Sequence, residues 1–225
     1  MPFKNWSTAT ALIVMGGMAL AHGDAAPQPV ETEDLPDVGE EWLIENPYRA
    51  DKVGEEVWAK AIEIGDSGYN QNFERCHGLG AVSGGLAPDL RYLEAEEYGD
   101  EWYVERFRHG YTQNGTTKMP AFGELLGQKA AWAIRTYIET RPDDGALEAY
   151  SDRLKEIRDE LEAGEGADIP ALRAELDEIA QEVETASGAP VADSVAMRAA
   201  ILLDGDDPQV SQAAEQLTIG LSAAQ

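Results

Sequence analysis

Residues Asn72-Phe73-Glu74-Arg75-Cys76-His77-Gly78 decide how this sequence is read. The attachment motif for c-type haem is Cys-x-x-Cys-His, in which two thiols bond the haem vinyl groups and the imidazole ligates iron. Here the second Cys and the His are kept as Cys76 and His77, and Phe73 stands at the first Cys position. A thioether needs a thiol. The stretch therefore predicts one haem c per chain, attached through a single thioether from Cys76. Cys76 is the only cysteine in the chain, so no intramolecular disulfide can form. Haem attachment gives a role to a thiol that would otherwise be left over in an exported protein. A Cys-His pair by itself is more often a buried thiol beside an unrelated histidine; the flanking residues move the reading to haem.

Working outward, Val57, Trp58, Ile62 and Ile64 supply apolar surface for a helix over 53–71. Gly65 and Tyr69 lie four apart on it and share a face. Two short helices are expected between 89 and 110, and Gln113-Asn114-Gly115-Thr116 reads as a turn. A closing helix is expected over 127–141, stopped by Pro142-Asp143-Asp144-Gly145.

Residues Glu55 to Arg141 resemble the class I cytochrome c fold. More narrowly, they resemble the small periplasmic cytochromes that accept electrons from quinoprotein (PQQ-dependent) alcohol dehydrogenases. The resemblance is carried by Gly68-Tyr69-Asn70-Gln71-Asn72, Cys76-His77-Gly78-Leu79, the run from Ser83 to Arg91, Gly99-Asp100-Glu101-Trp102-Tyr103, Lys118-Met119-Pro120-Ala121-Phe122 and the run from Trp132 to Ile138. The segment Glu40 to Arg49 also looks like that group. The resemblance implies His77 and Met119 as axial iron ligands, and a neutral thioether opposite an imidazole raises the reduction potential. It implies that the Pro88 carbonyl accepts from His77, fixing the ring's tautomer and orientation. Trp102 and Arg106 are implied near the haem propionates, and Phe73 against the vinyl that has no thiol. Gly65 and Tyr69 are expected to meet Ile134 and Tyr137. The function implied is single-electron transfer from a quinoprotein dehydrogenase toward a terminal oxidase or another cytochrome, with no enzymatic chemistry because both axial positions are filled. Two other readings stand beside it. One is a haem-bearing subunit tethered in a larger respiratory or photosynthetic complex. The other is a non-redox binding module with a degenerate haem site.

The chain has 225 residues and a formal net charge of −26, with pI near 4.2. Such a field excludes nucleic acid as a partner and suits a basic protein or a salty medium. The fold class expected is all-α: a class I cytochrome c domain with an extended N-terminal arm and a C-terminal helical extension. Residues 1–21 read as a secretory signal, with Lys4, an apolar run and Ala19-Leu20-Ala21 as the cleavage site. That run is shorter than a membrane span, so cleavage leaves a periplasmic protein with no spanning helix. Residues 22–51 read as an acidic, proline-containing arm, 52–142 as the haem domain and 143–225 as an acidic helical extension. In the extension, Leu154, Ile157 and Leu161, then Leu172, Leu176, Ile179 and Val183, predict an antiparallel hairpin with a coiled-coil-like seam. A third helix is expected after Pro190, and a fourth with Asp207 as N-cap and Pro208 at the first helical position.

Overall fold

The computed structural model describes residues 26–164 and 166–223. The expected signal segment lies outside them. Among the described residues the chain is all-α apart from one short hairpin, and the buried apolar residues form two separate cores.

The first core is organised by α2 (Glu55–Asn72) crossing α5 (Gly123–Glu139). The crossing is close because α2 is small where the helices meet. A Cβ on Gly65 would lie 2.0 Å from the Ala133 carbonyl oxygen, and one on Gly68 would lie 3.1 Å from the Ile134 side chain. Tyr69 meets Tyr137 with ring centroids 5.4 Å apart. The glycines and Tyr69 thus share the contact face, as the four-residue spacing predicts. A short helix, α1 (Ala50–Val53), precedes α2, and α3 (Glu74–His77) follows it directly.

Between the site and α5 the structure departs from expectation. In place of two short helices there is a 3-10 turn, Leu90–Tyr92, and one helix of 13 residues, α4 (Glu97–His109). Tyr103, Val104 and Phe107 form one continuous buried face. Gly99, inside α4, is required by a close approach: a Cβ there would sit 2.1 Å from the Glu94 carbonyl oxygen. The Asn114-Gly115 turn joins β1 (Tyr111–Gln113) to β2 (Thr116–Met119), with φ of 51° and 76° at its two central residues. Two consecutive positive φ angles are what a tight hairpin of the correct twist demands, and Asn-Gly tolerates them.

Among its described residues the arm has no helix before Ala50, yet it packs into the first core through Leu35 and Tyr48. A buried polar network fastens it. Arg49 pairs with Asp100 and Glu139, each at 2.8 Å, and Arg135 pairs with Asp100 at 2.9 Å. The buried Asn46 donates from its backbone to Asp100 and from its amide to Thr136 and Glu139. Burial pushes the Glu139 carboxyl up, against the pull of Arg49 and Arg135.

The second core joins α6 (Ser151–Ala163), α7 (Ile169–Glu182), α8 (Val195–Leu202) and α9 (Val210–Ala223). The expected tight α6–α7 seam is not formed. Instead α6 packs on α9, α9 on α8, and α8 on α7. Ala196, Ala199 and Ala200 on α8 and Ala213 and Ala214 on α9 let those helices approach closely, and a Cβ on Gly220 would meet Val195 at 2.2 Å. The larger Leu and Ile side chains of α6 and α7 fill the shared core. Those two helices meet through long polar side chains, Arg153 to Glu175 at 2.6 Å and Tyr150 to Glu182 at 2.8 Å. Helix α9 starts later than expected: Gln209 donates from its backbone to the Leu202 carbonyl at 2.7 Å and accepts from Ala213. Asp207 therefore does not cap it.

The loop 184–193 straps the extension to the end of α5. Ala192 donates to the Thr140 carbonyl, Ser187 donates its hydroxyl to the Glu139 carbonyl, and Ala95 donates to the Ser187 carbonyl. Arg141 binds Asp193 at 2.7 Å. Burial raises the Asp193 carboxyl, but Arg198 and Arg141 outweigh it and hold the group below its ordinary range.

Candidate haem-binding site

Helix α3 is one turn long and carries both motif residues, so Cys76 and His77 project from adjacent positions. It ends at Gly78, whose φ is 88° and where a Cβ would lie 1.8 Å from the Val82 carbonyl oxygen. Only glycine lets the chain turn back this tightly. Tyr69 holds the turn, donating its hydroxyl to the Gly78 carbonyl at 2.7 Å.

His77 is 6% exposed, and its Nδ1 lies 2.8 Å from the Pro88 carbonyl oxygen. A carbonyl can only accept, so Nδ1 carries the proton and Nε2 keeps its lone pair. Burial lowers the imidazole's pKa, which favours that neutral form. Cys76 is a free, exposed thiol beside it.

Phe73 is 2% exposed and lies inside an aromatic cluster. Its ring centroid is 4.7 Å from that of Phe122, 5.9 Å from Phe107 and 6.2 Å from Tyr69. The cluster continues through Tyr103 to Trp132, which is fully buried. Nothing in the spacing of the motif singles out Phe107 and Phe122 as partners of Phe73; that contact comes from the end of α4 meeting the start of α5, where Phe122 donates its backbone N–H to the Phe107 carbonyl at 2.8 Å.

Met119 closes β2 opposite Tyr111 and is half-buried against the first core. The Arg106 guanidinium lies over the Tyr111 ring at 5.0 Å and the Trp102 ring at 5.4 Å. Trp102 is half-buried against the first core. His109, at the end of α4, is exposed and 3.7 Å from Glu105.

These residues fit a haem. An imidazole oriented through Nδ1 offers Nε2 to a metal, and a thiol stands one residue away. Several large apolar side chains around the motif have no protein cover: Leu79 is 73% exposed, Leu86 77% and Leu125 60%, with Val82 between the first two. A flat apolar macrocycle is the kind of group such uncovered side chains would bury.

Comparison with known proteins agrees with this geometry. Residues 60–138 match the family described as cytochrome c oxidase, cbb3-type, subunit III. The chain is 47% identical over 134 residues to cytochrome c550 of Pseudomonas aeruginosa, a match covering 57% of this chain and 90% of the relative. It is 29% and 32% identical to two quinohemoprotein alcohol dehydrogenases of Pseudomonas putida, ADH IIB and ADH-IIG. Those matches cover 42% and 37% of this chain but only 14% and 11% of the enzymes. No solved structure matches. The all-α fold and the similarity to cytochrome c550 over nearly the whole of that protein place the chain in the c-type cytochrome family, as an electron-transfer protein with covalently bound haem and not an enzyme.

Proposed function

We propose that this chain is a periplasmic mono-haem cytochrome that carries single electrons from a quinoprotein alcohol dehydrogenase toward a terminal oxidase. Cys76 would hold the haem through one thioether, and His77 and Met119 would ligate its iron. The observation that supports this most is the His77 ring, buried and bonded through Nδ1 to Pro88 beside a free thiol. Bound haem supplies the one-electron iron couple. The chain supplies the rest. Pro88 fixes the imidazole so that ligation through Nε2 costs little reorientation. Met119, tied into a hairpin, presents a neutral thioether that favours the reduced state. Phe73 takes the place of the missing thiol with an aromatic ring already ordered by Phe122 and Phe107, and so keeps water from that edge. Trp102 and Arg106 are proposed to face the propionates. The similarity to quinohemoprotein dehydrogenases supports a dehydrogenase as donor.

In domain terms, we read 1–21 as a removed signal, 22–51 as the arm, 52–142 as the haem domain and 143–225 as the extension. The test is stopped-flow mixing of the oxidised protein with a PQQ-dependent alcohol dehydrogenase and its alcohol. The reduced c-type visible bands should appear at a rate that rises with dehydrogenase concentration. Bands that stay oxidised, in a protein that dithionite reduces normally, would refute the assignment of the donor.

A further inference from the structure

The Pro88 carbonyl that orients His77 at 2.8 Å is itself held in place. It belongs to the planar peptide joining Pro88 to Asp89, so its direction follows from the backbone on either side. On one side the proline ring fixes φ. On the other, Asp89 is pinned through its carboxylate. It accepts from the backbone N–H groups of Ser83 at 3.2 Å and Arg91 at 3.0 Å, the latter bond capping the 3-10 turn Leu90–Tyr92. Ser83 closes the same loop again by donating its hydroxyl to the Ala87 carbonyl.

The Arg91 guanidinium grips both oxygens of that carboxylate, from Nε at 3.0 Å and from Nη2 at 2.8 Å. Its remaining arm, Nη1, donates to the Pro142 carbonyl at 3.2 Å, just beyond the end of α5. Pro142 is bridged in turn to Thr185 of the strap, and Asp143 donates to the Glu184 carbonyl at 3.0 Å. The guanidinium is thus held from both sides, and Arg91 is only 2% exposed. An apolar pair of similar volume would stabilise a loop about as well as a desolvated ion pair. What a two-pronged guanidinium–carboxylate bond adds is a fixed direction.

We propose that Arg91 and Asp89 are positioning residues for the axial imidazole: the guanidinium holds the Asp89 carboxylate, Asp89 holds the Pro88 carbonyl, and the carbonyl holds the His77 Nδ1–H. This rests on the haem reading above. A firm bond from Nδ1–H makes the imidazole a stronger donor to iron, which favours the oxidised state. Slackening the clamp therefore favours the reduced state. Removing a nearby positive charge would do the opposite, so the sign of the change separates positioning from plain electrostatics.

The test uses the holoprotein and two variants that keep the summed charge. One is Asp89→Asn with Arg91→Gln. The other is Arg91→Lys, which replaces the planar fork by a point charge. Asp159→Asn with Arg158→Gln removes a surface pair in the extension and is the control. Exchange of the His77 Nδ1 proton with deuterium, followed by NMR, should quicken about tenfold in the double variant and less in Arg91→Lys. The reduced-to-oxidised ratio at a fixed mediator potential should rise about threefold or more in the double variant, and in the same direction in Arg91→Lys. Tenfold in that ratio is about 59 mV for one electron. The control should match the parent in both readouts. Variants that lose stability while keeping the parent's exchange rate and ratio, or whose ratio falls, overturn the proposal. Should the double variant not fold, Arg91→Lys decides by the same two readouts. The exchange measurement needs no iron. Slow exchange in a colourless parent, quickened by Arg91→Lys, sinks the haem reading and keeps the clamp. A parent whose Nδ1 proton exchanges as fast as that of free imidazole overturns the clamp, whether or not haem is bound.

Discussion

Replacing Gly65 with Ala should destabilise the haem domain by about 2 kcal/mol, although Ala is the better helix former. The added Cβ would sit 2.0 Å from the Ala133 carbonyl oxygen, 2.6 Å from its carbon and 2.9 Å from the Tyr137 Cβ. Ordinary C···O contact is about 3.3 Å or more, so α2 and α5 must part by roughly 1.3 Å where they cross. The nearest atoms are backbone, and no rotamer can move them away. Overpacking of this kind costs about 1–3 kcal/mol, and rigid neighbours place Gly65→Ala at the upper end. Helix propensity returns about 1 kcal/mol. The net loss corresponds to a melting temperature lower by roughly 10 °C for a domain of this size. Trp42, Trp58, Trp102 and Trp132 all precede residue 143, and the extension has no tryptophan. Tryptophan fluorescence in a denaturant titration therefore reports on the haem domain. Gly145→Ala, where nothing lies within 4 Å of the new Cβ, serves as the control and should be close to neutral. A Gly65→Ala protein as stable as the parent, or more stable by the full propensity gain, would show that the two helices do not touch at this point.

Two further outcomes follow from the buried charges. Asp100→Ala leaves Arg49 and Arg135 short of a carboxylate in a buried setting, and should cost about 3–5 kcal/mol by thermal unfolding; a loss under ~1 kcal/mol would mean the network is solvated. Asp193 is held below its ordinary pKa of 3.8, so its stabilising effect is fully present above that value and is lost as pH falls through the lowered folded value. Hydrogen exchange at the backbone amide of Ala192, which bonds across to Thr140, should therefore quicken below about pH 4 in the parent, and Asp193→Asn should show fast exchange at every pH. Equal protection in parent and variant would separate the strap from this ion pair.

The parts of the fold that sequence made legible are those where one residue type answers one local demand. Gly65 and Tyr69 announce a close helix crossing because no larger residue fits there. Asn114-Gly115 announces a turn because it accepts positive φ. The extension was harder, because the heptad-like leucines on α6 and α7 show which faces are buried and say nothing of which helix lies opposite. The alanine faces of α8 and α9 decide that, and alanine gives little signal in a periodicity search. Helix α4 is not legible as one unit, since a glycine inside it lowers helix propensity and only the close approach to Glu94 accounts for Gly99. The arm's attachment was illegible for another reason: Asn46 and Arg49 meet Asp100, Thr136 and Glu139 across 51 to 93 residues of sequence, and no local pattern links them. At the site, the motif announced a thiol and an imidazole, whereas the Phe73–Phe122–Phe107 cluster arises only from the tertiary meeting of α3, α4 and α5.

The most direct test of the account is the intact mass of the exported protein, measured before and after acid–acetone extraction. The account predicts polypeptide plus one haem in both cases, because a thioether from Cys76 survives extraction, with a pyridine-complex visible band displaced from that of haem joined by two thioethers. Haem that leaves the polypeptide into acid–acetone, or a parent protein with the ordinary two-thioether spectrum, would contradict it.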